Sequence, residues 1–93
     1  MNNGLVLRVV TVEPAPLNQM TFHYQVVSRA SKDIDKEGFY QSMRLRSANW
    51  ACDNPELVPL LQRGITICFS YWGSDNGLIS DIKVTGSECK INS

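Results

Sequence analysis

Residues 64–89, GITICFSYWGSDNGLISDIKVTGSEC, constrain the fold more than any other stretch of this chain. Two runs of strand-forming residues flank a five-residue turn, Gly73-Ser74-Asp75-Asn76-Gly77, in which Asn76-Gly77 tolerates positive φ. An isolated hairpin is marginal in water, so the preceding sixty residues must cover or extend this one. Alternation sends Ile65, Ile67, Phe69 and Tyr71 to a core side and Thr66, Cys68, Ser70 and Trp72 to the other. In the return strand Leu78, Ile82 and Val84 share one side, and Ile79, Asp81, Lys83 and Thr85 share the opposite one.

The upstream chain supplies four more elements. LVLRVVTV, residues 5–12, is dense in β-branched residues and reads as a strand. Leu5, Leu7 and Val9 point one way; Val6, Arg8, Val10 and Val12 point the other. Neither side is polar throughout, which predicts a strand covered on both faces or central in its sheet. EPAPLNQ follows as a proline-rich connection, and MTFHYQVV, residues 20–27, is the next strand. There Met20, Phe22, Tyr24 and Val26 oppose Thr21, His23, Gln25 and Val27, and the two strands pair most simply as a hairpin. Asp35 suits a helix N-cap, and Phe39, Met43 and Trp50 form the apolar stripe of a helix over 36–51. Asp53-Asn54-Pro55 breaks that helix and starts a second, with Asn54 as its cap, Leu57, Leu60 and Leu61 as its apolar side and Gly64 as its terminator. The expected fold is α+β: a four-stranded antiparallel sheet in the order β-β-α-α-β-β, with the helices on one face.

Length and charge narrow the function classes. Ninety-three residues make one domain, spanning 1–93, with a modest core. Nine basic residues balance nine acidic ones, which argues against a nucleic-acid binder that relies on a basic surface. No apolar run approaches the roughly 18–20 residues that span a bilayer. MNNGLVLRVV lacks the parts of a signal peptide. That leaves a cytoplasmic protein or a mature form whose leader has been removed.

DKEGFYQSMR, then CDNPELVPLLQRGITICFSYW, then NGLISDIKVTGSEC together resemble a loose group of short bacterial secreted or periplasmic proteins, mostly of unassigned function. The resemblance spans the last two-thirds of the chain and extends weakly into LVLRVV and MTFHYQVV. It implies a fold more than an activity. Members commonly carry a leader and an amphipathic helix before the first strand, so the resemblance implies a chain trimmed of both or a reduced member. It also implies that Cys52, before the NP turn, and Cys89, near the C-terminus, form a disulfide. Their placement at a helix end and after a strand agrees in part; two unpaired thiols in a reducing cytosol is the competing reading.

No catalytic constellation is visible. Cys68, the odd cysteine, has only Thr66, Ser70 and Trp72 beside it on its strand face, none of which lowers a thiol pKa, so a buried small residue is the simpler reading. His23, the single histidine, sits between Thr21 and Gln25 and reads as a solvated side chain. Asp75, Asn76 and Asp81 fit no cation-loop spacing and read as turn chemistry. No cofactor and no metal site is implied. The informative feature is the face opposite the core, which collects Val6, Arg8, Val10, His23, Cys68, Trp72 and Ile79. An apolar patch of that kind marks a partner surface or a self-association site, a homodimer included, although scattered apolar residues need no explanation.

The expectation is a non-enzymatic, disulfide-stabilised cell-envelope domain, periplasmic or secreted, that binds another protein as an accessory, inhibitor or immunity factor. The alternatives are a small hydrolase or thiol enzyme using Cys68 or His23, and a cytoplasmic single-strand nucleic-acid binder.

Overall fold

A computed structural model describes residues 4–89. Strands β1 (Leu5–Glu13) and β2 (Gln19–Val26) lead through a short 3₁₀ turn at Ser31–Asp33 into helix α1 (Lys36–Asp53), the brief helix α2 (Val58–Gln62), strands β3 (Thr66–Trp72) and β4 (Leu78–Val84), and a last helical turn α3 (Gly86–Cys89). The fold is α+β: one four-stranded sheet in the order β1-β2-β3-β4, with the helices packed on one face.

The sheet is mixed rather than purely antiparallel. β1–β2 and β3–β4 are antiparallel, but β2 and β3 run parallel, with Phe22 beside Phe69 and Tyr24 beside Tyr71. The reason lies in the connection: a crossover through α1 and α2 returns the chain to the same end of the sheet, as parallel neighbours require. Along this junction Phe22 and Phe69 stack at 5.5 Å, as do Tyr24 and Tyr71. The helix stripe closes over them. Trp50 meets Phe22 and Phe69 edge-on at 5.9 and 5.8 Å, and Phe39 meets Tyr71 at 5.2 Å. Ile67, Phe69, Tyr71, Ile82 and Val84 form the buried sheet side of the core, with Ala51, Leu57 and Leu61 from the helical layer. Buried Ser47 and Tyr71 share a hydrogen bond of 2.9 Å, which satisfies both hydroxyls inside an apolar layer.

Local chemistry explains the element ends. Gly64 takes φ +89°, its N–H donating to the Leu61 carbonyl and that of Ile65 to the Leu60 carbonyl, the paired bonds of a Schellman terminus. Asn54 behaves differently from expectation. Its side chain accepts from the Glu56 amide and caps a separate turn, so α2 begins only at Val58, with Pro59 in its first turn, where a missing N–H costs nothing. Asp35 occupies the N-cap position of α1, but its carboxylate makes no capping hydrogen bond. Cys52 and Cys89 are bonded, with Cα atoms 5.4 Å apart, tying the end of α1 to α3.

The β3–β4 turn is stitched to the connection before α1. The Asp75 carboxylate accepts from the backbone amide and hydroxyl of Ser31 and from the Gly77 amide, and Ser74 N–H donates to the Arg29 carbonyl. A Cβ at Gly73 or Gly77 would lie 2.3 Å from Ser31 atoms, so the close approach requires glycine at both places.

Candidate functional site

Two β-bulges decide which side chains share a face. In β1 the register shifts at Arg8: Leu5 and Leu7 lie beside Val26 and Tyr24 on the helix side, whereas Val9 lies beside His23 on the open side. Beyond the bulge Val10 pairs with Phe22 and Val12 with Met20, so both lie on the helix side, opposite to the expected placement. In β4 a second shift leaves Leu78 beside Trp72 and makes Ile79 the extra residue. Ile79 is 5% exposed and belongs to the core, not to the open face. Val10 and Ile79 therefore leave the predicted partner surface. Cys68 keeps its face but is 2% exposed and offers a partner nothing to touch.

The structure brings Arg8, His23 and Trp72 together. With Val9, Gln25 and Asn76 they border a shallow open-face depression of about 280 Å³, while Val6, paired with Gln25, lies half-buried on the same face. This face is a hydrogen-bonded polar surface rather than an apolar patch. His23 Nε2 and the Thr11 hydroxyl are 3.0 Å apart, so the imidazole is half-buried and partnered instead of solvated. Gln25 donates to the Gly73 carbonyl and to Asn76 Oδ1, and Trp72 Nε1 donates to Ser70 Oγ at 2.8 Å.

Burial pushes the Cys68 thiol above its ordinary pKa, and the Asp81 carboxylate adds to the effect against a weaker opposing pull from Lys83. A thiol held protonated in this way is a poor nucleophile, and His23 is engaged with Thr11 on the side away from it. Asp75 is held from the ordinary 3.8 down to about 2, chiefly by the Ser31 amide and then the Gly77 amide. Both its oxygens are used within the turn, as the turn-chemistry reading expects. Among the described residues no cluster of three His, Cys, Asp or Glu side chains is placed to hold a metal ion.

The exposed apolar surface lies on the helix side, where sequence reasoning did not place it. Helix α1 packs against β4, leaving β1 uncovered. Leu7, Val10 and Val12 are exposed there, Val12 at 66%, and Trp50 of α1 is 47% exposed across from them. Between helix and strand runs a depression of about 260 Å³ with Tyr24, Phe69 and Tyr71 at its floor and Leu5, Met43, Arg46 and Trp50 at its sides. Burial raises the Tyr24 and Tyr71 phenols, which stay neutral there. The alternation of LVLRVVTV carries this surface, but only once the bulge is known.

No protein-family model and no curated protein matches the chain. Two solved structures share its fold. A Pseudomonas aeruginosa protein described as secreted superposes with a TM-score of 0.79 at 24% identity, covering 96% of this chain and 75% of its own. EpsS, a pilotin of the Vibrio vulnificus type 2 secretion system, superposes with a TM-score of 0.70 at 14% identity, covering 99% and 77%. At these identities the likeness is one of fold. No helix among the described residues is long and apolar enough to cross a membrane.

Proposed function

We propose that this chain is a non-enzymatic, single-domain protein-binding module of the bacterial cell envelope, periplasmic or secreted, acting as a pilot-type accessory of a secretion assembly. The observation that carries the reading is the uncovered part of the helix-side face, where Leu7, Val10 and Val12 of β1 stand exposed and an aromatic-floored depression lies between Leu5 and Trp50. Exposed apolar side chains beside an aromatic-floored depression are the form a partner site takes. The Cys52–Cys89 bond fits an oxidising compartment, and the two fold neighbours, one secreted and one a secretion pilotin, favour the envelope and the pilot-type role over an inhibitor or immunity role. A protonated, buried Cys68 and an engaged His23 weigh against the thiol-enzyme alternative. The balanced charge weighs against a nucleic-acid binder.

The occupant this site fits is an apolar segment of another envelope protein. A photo-crosslinking residue placed at Arg46, in the bacterium that encodes the protein, is expected to trap one defined partner, and Leu7→Asp is expected to reduce that product at least tenfold with the fold retained. Crosslinking indifferent to Leu7→Asp, or a trap yielding only diffuse products, would overturn the site.

A further inference from the structure

We infer that the outer edge of β1 is a strand-addition site for an extended peptide that presents acidic side chains on one face and apolar side chains on the other. The two edges of the sheet differ in kind. β4 is seven residues long, has α1 packed against its face, and carries Asp81 and Lys83 outward, which are ordinary protections of an edge. β1 is nine residues long, pairs with β2 alone among the described residues, and is exposed on both of its faces. Beyond the bulge, from Val9 to Glu13, one side of its backbone faces no strand among the described residues, and an added strand would find N–H and C=O groups there at the spacing it needs.

The side-chain chemistry of the two faces specifies the guest. Beyond the bulge, Val10 and Val12 present methyl groups on the helix side, so alternate guest residues there must be apolar. On the open side Arg8 borders the depression with His23, Gln25, Asn76 and Trp72, and no carboxylate lines it. Among the described residues the Arg8 guanidinium makes no side-chain hydrogen bond or ion pair. A guest strand hydrogen-bonded to β1 would direct its open-side residues beside that guanidinium, and a carboxylate there would be the missing partner. The edge shares Val10 and Val12 with the proposed partner site, but it also needs backbone pairing and Arg8, so N-methylation and Arg8→Glu test this inference while crosslinking at Arg46 tests the other.

A nine-residue capped peptide alternating valine and glutamate is the probe, with a valine–lysine peptide of the same length and a backbone N-methylated valine–glutamate peptide as controls. Titration followed by amide chemical shifts is expected to perturb and protect residues of β1, with the glutamate peptide binding about fivefold tighter than the lysine peptide. Arg8→Glu is expected to reverse that preference, and N-methylation to abolish binding. Equal binding of the two peptides, shifts confined to Met43 and Trp50 on the α1 side, or a β1-to-β1 dimer that excludes the peptide would each overturn the proposal.

Discussion

The β3–β4 pair and the edge strand β1 are built from similar residues, yet they have opposite fates. Ile67, Phe69, Tyr71, Ile82 and Val84 lie under the helices, while Leu7, Val9, Val10 and Val12 remain open to solvent. Strand propensity is the same in both. What differs is helix coverage, because α1 packs on β4 and is tied down at its end by the Cys52–Cys89 bond. Apolar composition therefore marks a strand without saying whether it will be covered, and the proposed partner surface lies on the uncovered one.

That contrast can be broken at four places. The largest effect is expected at the stacked centre: Phe69→Ala should cost about 3–5 kcal/mol of unfolding free energy in urea titration. A loss below about 1 kcal/mol would mean that the helices do not close the core as described. Cys89→Ser, or reduction of the native protein, should cost about 4 kcal/mol in the chain-entropy account, since the bond closes a span with a sequence separation of 37. An unchanged urea midpoint would sever the link between the disulfide and helix placement. A smaller effect concerns the stitch between the hairpin turn and the connection before α1. Asp75 titrates lower in the folded chain than in the unfolded one, so its contribution is complete above about pH 4 and fades as pH falls towards 2. Asp75→Asn should flatten the acid limb of the stability profile in that window, and superimposable profiles would contradict the Ser31 contacts. The smallest effect is expected on the open strand: Val12→Ala should change stability by less than about 0.5 kcal/mol. A cost approaching that of Phe69→Ala would show that β1 is covered after all.

Most elements were legible from residue patterns. Alternation found all four strands, the Phe39–Met43–Trp50 stripe found α1, and Gly64 marked the helix end that its positive φ confirms. The Cys52–Cys89 pair was implied by resemblance, and the bond is present. Three features were hidden for physical reasons. A period of two identifies a strand but carries no direction, so the parallel pairing of β2 with β3 was invisible. The bulges at Arg8 and Ile79 have no glycine to announce them, yet each shifts the side-chain parity of its strand. Those shifts moved Val10 and Ile79 off the predicted surface, and the Arg8 shift explains why β1 looked apolar on both faces. Alternation alone predicts a central or doubly covered strand, whereas β1 is an exposed edge. His23 and Trp72 keep their common face because no shift separates β2 from β3, and Arg8, the extra residue of the β1 bulge, stays beside them.

The parallel junction also bears on how the chain reaches this state. An antiparallel hairpin can start at its turn and lengthen by closing one slightly larger loop at a time. Every rung between β2 and β3, from Gln19–Thr66 to Gln25–Trp72, instead closes a loop of the same length. No short-range contact can seed it, so the entropy of closure falls on the first rung alone. The two hairpins can form early and locally, whereas their union must wait for the intervening helices to fold the chain back. The aromatic pairs at the junction thus belong to the late, cooperative event that makes two ribbons one sheet.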